Sequence, residues 1–397
     1  MIEGILLTMS IIKDYINKDV KTMILHITND YSGSTVYKNL VEELDNLGLS
    51  QIVYNPIKEK SRIGKNKIDL EVNDSDIIYS HILNKTSDRV FYRKKIKKIL
   101  KDIETKIDFS KIKMIHAHTW YSDGGVAYLL SKKYNIPYIV TIRNSDLNVF
   151  QKYLIHERSF GRKILEKAKN IILIAASYNQ RVLSESSLQK IKAQLEIKLK
   201  IIPNGVDSFW INSAVEKKIK TDKKVFNLLF IGKFTEGKNV VPLQLAVNEL
   251  NKEKNIVHLH LIGGGGNAHQ KVLDQLDLNK NTMTYHGKIF DMSKLKEHFE
   301  SADIFVMPSK HETFGLVYVE AMLQGLPILY TANEGIDGFY DEKIGEKVCN
   351  STVDEIKIKL FNLIEDYNSY NIPTEKLKKN HNWKNIALVY QQLYNVK

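Results

Sequence analysis

Cysteine is almost missing: Cys349 stands alone in a chain of 397 residues. With nothing inside the chain to pair with, it excludes a disulfide framework and fits a reducing compartment or indifference to redox. Long apolar runs are missing too, since no stretch approaches the ~20 apolar residues that a membrane span requires. The short apolar run 4–12 follows Glu3 rather than a basic residue and has no small-residue cleavage site, so it does not read as a signal peptide. A cytoplasmic protein is therefore expected, with residues 1–20 as an appendage before the first strand. No internal repeat and no tract long enough to be a disordered tail stands out.

A hydrophobic fraction of 43% with 26% charged residues fits a globular protein. The length exceeds the ~250–300 residues at which single cores stop growing, so two domains are expected. The net charge of +12 is unevenly placed: residues 1–200 hold 34 basic and 22 acidic residues, which leaves 24 of each sign in the remainder. Much of the excess lies between Arg89 and Lys101. There Tyr92, Ile96, Ile99, Leu100 and Ile103 recur at helical spacing, and Arg93, Lys94, Lys95, Lys97, Lys98 and Lys101 take the other face. A basic amphipathic helix over 89–103 suits an anionic membrane surface; the alternative is the solvated face of an ordinary surface helix.

Ile- and Val-rich runs alternate with amphipathic stretches, the pattern of parallel strands covered on both faces by crossover helices. Strands are expected at 22–28, 52–54, 77–80, 114–117, 138–142 and 171–175, then at 227–231, 257–262, 283–285, 304–307, 328–330 and 347–348. Two such series imply an α/β chain of two doubly wound domains. The break is expected at the turn Pro203-Asn204-Gly205-Val206-Asp207, and 383–394 reads as a closing helix.

Four segments carry candidate chemistry. After the strand at 304–307, Pro308-Ser309 breaks the chain and Phe314-Gly315-Leu316 opens a helix, whose free N–H groups and dipole suit a phosphate. Glu312 precedes that helix and Glu320 lies within it, two carboxylates able to accept hydrogen bonds from hydroxyl pairs. In Gly232-Lys233-Phe234-Thr235-Glu236-Gly237-Lys238, two lysines five apart around a glycine-containing loop can converge on a diphosphate. Gly263-Gly264-Gly265-Gly266 permits close approach of a ligand, but the acidic ribose reader of a dinucleotide fold is missing, because Met283-Thr284-Tyr285-His286-Gly287 fills that region. In the first turn, Asn29-Asp30-Tyr31-Ser32-Gly33-Ser34, Gly33 lets the backbone approach a ligand; an ordinary surface turn is the alternative. Asp74-Ser75-Asp76, a possible metal motif, reads as a turn, and His116 and His118 lack a third ligand.

At these residues the sequence resembles the retaining glycosyltransferases of family 4 (glycosyl transferases group 1), over nearly the whole chain from Met23. The most specific match is Glu-x7-Glu, here Glu312 and Glu320, followed by Gly325-Leu326-Pro327. Pro203 to Asp207 is similar to the interdomain motif, and Gly232-Lys233 with Lys238 to the diphosphate-binding pair, with Lys233 where arginine is usual. His116-Ala117-His118, Gly124-Gly125 and Thr141-Ile142-Arg143-Asn144-Ser145-Asp146 resemble the acceptor-side segments, with Arg143 in place of a histidine.

The resemblance implies a GT-B architecture: two Rossmann-like domains, 21–205 (plus the closing helix 381–397) for the acceptor and 206–380 for the donor, with a cleft between them. It implies transfer of a hexose from a nucleotide-sugar, expected to be a UDP-sugar, to a polysaccharide or lipid-linked acceptor. Glu320 would hold the ribose and Glu312 the donor sugar. The N–H groups of Phe314, Gly315 and Leu316 would hold the sugar or phosphates, Lys288 or Ile289 the base, with Gly33 and Gly232 beside the donor. Lys233 and Lys238 would neutralise the leaving diphosphate, and Arg143 stands at the catalytic position of the missing histidine. His118, Asn144 and Asp146 fall on the acceptor side. No metal, cofactor or nucleic acid is implied. A non-catalytic nucleotide-sugar-binding subunit and a nucleotide-sugar epimerase of similar fold are the alternatives.

Overall fold

In the computed structural model, which describes residues 23–217, 219–220, 225–254 and 256–395, thirteen strands form two sheets. The first holds β1 (Met23–Ile27), β2 (Gln51–Ile57), β3 (Asp76–His81), β4 (Ile112–Ala117), β5 (Tyr138–Ile142), β6 (Asn170–Leu173) and β7 (Leu199–Ile201), in the order β3-β2-β1-β4-β5-β6-β7. The second holds β8 (Phe226–Gly232), β9 (Val257–Gly263), β10 (Met283–Tyr285), β11 (Ile304–Val306), β12 (Ile328–Thr331) and β13 (Gly345–Val348), in the order β10-β9-β8-β11-β12-β13. Every strand pairing within them is parallel. The twelve expected strands are all present. The expectation for residues 1–20 lies outside the described residues.

Burial on both faces explains the strand composition: all five residues of β1 and of β5 are buried. Removing each such Ile or Leu from water contributes about 1.5–3 kcal/mol relative to leaving it exposed. The edge strand β7 is an addition to the expected set. Its Leu-Lys-Ile is largely exposed, so it lacks the apolar signal of a central strand.

Helices cover the sheets: α1 (Thr35–Asn46), α2 (Tyr92–Glu104), α3 (Ser122–Tyr134), α4 (Val240–Lys254), α5 (Leu316–Leu323) and α6 (Trp383–Tyr394) matter below. The closing helix α6 packs on the first sheet, its Trp383, Ile386, Ala387, Tyr390 and Tyr394 meeting Ile24, Met114, Ile139 and Ile172. Those positions follow the i, i+3, i+4, i+7 rule, so one face of α6 is apolar. Gly205 is fixed by this packing, because a Cβ there would lie 2.6 Å from the Trp383 indole. Asp207 then caps the next short helix, accepting from the Phe209 N–H at 2.9 Å.

Helix α2 departs from the expected face. Lys95 is buried, 9% exposed, with Tyr92, Ile96, Ile99 and Ile103, while Lys94, Lys97, Lys98 and Lys101 are exposed. Arg93 is anchored rather than free: its guanidinium lies 3.6 Å from the Phe160 ring centre and 2.7 Å from the Glu157 carboxylate. No helix among the described residues is long and apolar enough to cross a membrane.

Candidate active site

In an open parallel sheet, ligands bind beyond the carboxyl ends of the strands where the strand order reverses. Here the reversals fall between β1 and β4 and between β8 and β11. The segments singled out in the sequence leave the ends of those strands and their neighbours. Asn29 to Ser34 follows β1, Gly232-Lys233 ends β8, Gly263 to Gly266 follows β9 and Glu312 lies beyond β11.

On the second domain, Lys238 and Glu312 form an ion pair between Nζ and Oε2, with 26% and 12% of their side chains exposed. Glu312 is fixed at both ends. Its N–H donates to Glu334 Oε2 at 2.9 Å, its carbonyl accepts from Gly335 N–H at 3.2 Å, and its Oε1 accepts from Thr313 N–H at 3.0 Å. Gly315 caps α5 in the left-handed region, φ +77°, and a Cβ there would meet the Tyr318 ring at 2.5 Å. Only glycine fits at this turn, where the start of α5, with its free first N–H groups, comes beside Glu312: a Gly315 Cβ would lie 3.1 Å from the Glu312 Cγ. The Phe314 ring is buried against Phe339 and His381, so only its backbone faces a ligand.

Lys233 is exposed and, among the described residues, has no carboxylate partner. Gly263 and Gly266 are required by close approach, because a Cβ on either would overlap the carbonyl of Gly232 or Phe234. Lys288 reaches over this loop, its ammonium 3.7 Å from where a Gly265 Cβ would stand, with half-buried Ile289 next to it.

Glu320 projects from α5, half-buried, with no hydrogen-bond donor facing it among the described residues. Burial, with the Asp207 carboxylate adding to it, lifts its pKa to about 7. A carboxylate held without a partner is prepared for donors that a ligand brings.

The first domain uses its expected residues differently. Asp146 is fully buried and accepts backbone N–H bonds from Trp120 and Tyr121, both at 3.0 Å, and from Arg143 at 2.9 Å. Burial lifts its pKa to about 6 against those bonds. His118 is buried, and its Nε2 is 3.0 Å from His26 Nδ1. Both side chains are buried, so neither faces solvent. Arg143 folds back over them, its guanidinium 4.6 Å from the Tyr37 ring centre and its Nε donating to the His118 carbonyl at 2.9 Å. Asn144 accepts from Asn148 at 2.6 Å, and Asn148 in turn accepts from Arg181. Gly33 is exposed beside the Asp30–Arg62 ion pair, so a Cβ there would meet the Asp30 carboxylate.

The pairing of β1 with β4 supplies the third imidazole that the sequence did not show, since His26 lies level with His116. The ligand atoms of His26, His116 and His118 lie within 4.8 Å of one another. His116 is committed on both sides, to Tyr394 Oη at 2.7 Å and Thr141 Oγ1 at 3.0 Å, and burial pushes its pKa well down. The cluster is thus a hydrogen-bonded core that ties α6 to the sheet. Asp74 lies in a turn at φ +68° that leads into β3, Ser75 Oγ accepts from Gln51 N–H at 3.0 Å, and Asp76 opens the strand.

A further residue, Glu334, joins the site without a motif to announce it. Glu334 orients Glu312 from the loop after β12, and Asn333-Glu334-Gly335 after a strand is the available signal.

Residues 212–384 match the family described as glycosyl transferases group 1, and residues 33–208 match glycosyltransferase family 4. The chain is a family 4 glycosyltransferase. Among curated relatives, the alpha-monoglucosyldiacylglycerol synthase of Acholeplasma laidlawii is 23% identical over 330 residues, 77% of each chain. The glycosyltransferase shares its fold with sucrose-phosphate synthase from Thermosynechococcus elongatus, at a TM-score of 0.70, 19% identity and coverage of 94% of this chain and 98% of that one. The Anabaena protein HepE, solved with UDP-glucose, superposes at a TM-score of 0.62 with 15% identity over 94% and 98% of the two chains. At these identities the solved structures establish the GT-B fold of this glycosyltransferase and nothing finer.

Proposed function

We propose that this glycosyltransferase moves a hexose from a nucleotide-sugar, a UDP-sugar, to a polysaccharide or lipid-linked acceptor with retention of anomeric configuration. The observation that carries the proposal is the convergence, at one switch point, of the Lys238–Glu312 pair, the exposed Lys233 and the opening turn of α5. Cations and free N–H groups aimed where a diphosphate leaves stabilise charge that grows in the transition state. Two ammonium groups there supply the neutralisation that a divalent cation would otherwise give, so the reaction is proposed to need no metal.

In this scheme Glu312 orients the sugar hydroxyls while Glu334 holds Glu312, and Glu320 accepts from the ribose hydroxyl pair. The Arg143 carbonyl already accepts from Asp146 N–H at 3.0 Å and has a second lone pair for the reacting sugar. HepE was solved with UDP-glucose and the Acholeplasma relative is named for a glucosylated diacylglycerol, which supports a UDP-sugar donor and a lipid-linked acceptor. The exposed lysines of α2, beside exposed Val90 and Phe91, support a peripheral position on an anionic membrane from the cytoplasmic side.

The test is a donor panel with purified protein. Transfer that persists in excess chelator, and an NMR spectrum of the product showing the donor's own anomeric configuration, are expected. An inverted product refutes the mechanism, and conversion of the sugar-nucleotide with no acceptor present turns the assignment to an epimerase. Flotation with anionic but not neutral liposomes, lost at high salt, is expected for the membrane position.

A further inference from the structure

Inside the first domain, beyond the ends of β1 and β2, lies a cavity of about 810 Å3. Its walls are largely apolar, with Leu83, Val149, Phe150 and Tyr153 among the lining residues, and Lys58 and Lys95 reach into it. Lys95 is the unusual member. It is 9% exposed, and its Nζ donates to Ser122 Oγ at 2.8 Å. The carboxylates at the cavity have cations of their own: Asp30 takes Arg62 at 3.2 Å, Glu59 takes Lys85 at 2.7 Å and Asp88 takes Lys98 at 3.8 Å. Among the described residues, Lys58 and Lys95 are left without a carboxylate in contact.

A buried ammonium whose one hydrogen-bond partner is a hydroxyl, with the buried Asp123 carboxylate near it but not in contact, is costly to hold. Burial pushes the Lys95 pKa down; the Asp123 carboxylate opposes that and Lys58 adds repulsion. Two ammonium groups that repel each other across an open space are both relieved by one anion placed between them. A phosphate is dianionic and offers three acceptor oxygens to the remaining N–H donors.

We propose that this cavity is the acceptor subsite and that it takes an acceptor carrying a phosphate group, which docks between Lys95 and Lys58 with its less polar part against Phe150 and Tyr153. The proposal rests on the glycosyltransferase reading above and deepens it by naming the acceptor's chemistry. Lys95 and Lys58 are positioning residues, because they hold the acceptor away from the bond that forms. The phosphate has two possible sources, a soluble sugar phosphate or a lipid headgroup.

The experiment measures binding to the full chain with UDP saturating the donor side. One arm titrates hexose 6-phosphate against the unphosphorylated hexose, and the other compares vesicles of phosphatidic acid with vesicles of phosphatidylcholine. Selective binding in the first arm assigns a soluble acceptor; selective binding in the second assigns a lipid-linked one when it falls in Lys95→Met or Lys58→Gln, since the exposed lysines of α2 would bind anionic vesicles without the cavity. Removing one charged hydrogen-bond donor should weaken the responding arm by about 10- to 100-fold in Lys95→Met. Lys58→Gln, a change at an exposed position, should weaken it in the same direction and keeps the test open if Lys95→Met fails to fold. UDP affinity should stay unchanged in both variants. Failure of both arms, or phosphate binding that ignores both substitutions, overturns the proposal. Failure of UDP to bind at all strikes the donor reading instead, and the Lys95 and Lys58 dependence is then read without UDP.

Discussion

Replacing Glu320 by glutamine should stabilise the protein above neutral pH while abolishing its use of the donor. Burial, reinforced by Asp207, lifts the Glu320 pKa from its ordinary 4.5 to about 7. Between those values the folded chain keeps a proton that the unfolded chain has released. Stability therefore falls as pH rises through this window, and the full penalty stands above pH 7. At about 1.4 kcal/mol per pH unit, the climb sets a ceiling of about 3 kcal/mol. Because Glu320 keeps some solvent contact, about half of that is expected, ~1.5 kcal/mol. Glutamine has nearly the same shape and no charge to desolvate. Urea unfolding of the wild type and Glu320→Gln at pH 4.5 and about pH 8 separates the cases. The variant should match the wild type at the lower pH and exceed it by about 1–2 kcal/mol at the higher one. An equal difference at both pH values, or a variant less stable at pH 8, refutes the reasoning. Loss of turnover beside a gain in stability is the pattern expected of a group held unpartnered for a ligand.

Lys238→Ala should lower turnover by about 100-fold or more, the scale of one lost stabilising donor, yet change unfolding free energy by less than about 1 kcal/mol because the pair is partly solvated; parallel kinetic and urea measurements test the separation. Gly315→Ala forces a side chain into the left-handed region against Tyr318 and should cost about 1–3 kcal/mol, seen as a lower denaturation midpoint together with lost donor binding. Trp383→Ala removes the contact that docks α6 on the first sheet beside Gly205, with an expected loss of about 3–5 kcal/mol, and hydrogen exchange along 383–394 should rise with it.

Much of the proposed donor side is legible in the sequence alone. Glu312, Lys238, Gly315 and Glu320 lie within short segments, where chain geometry fixes what a loop and a helix start can offer. The proposed acceptor side is less legible. Thr141 to Asp146 shows polar residues after a strand, but only the fold reveals that Asp146 turns inward to three backbone N–H groups. Charge alone assigns Lys95 to the solvent face of α2. Its spacing, three residues after Tyr92 and four before Ile99, places it on the buried face, so the periodicity holds the answer that residue type obscures.

By itself the sequence determined the alternation of buried strands and covering helices, hence the α/β class, the two-domain division and the strand ends from which ligand loops must leave. Hydrophobic period and turn residues are local properties, and local sequence encodes them. Tertiary structure alone decided that Glu334 orients Glu312, that Gly205 makes room for Trp383, that His26 comes level with His116, and that Lys95 and Lys58 share one cavity. Each of these joins residues distant in the chain through strand order and helix docking, and a single sequence carries no direct record of such pairings.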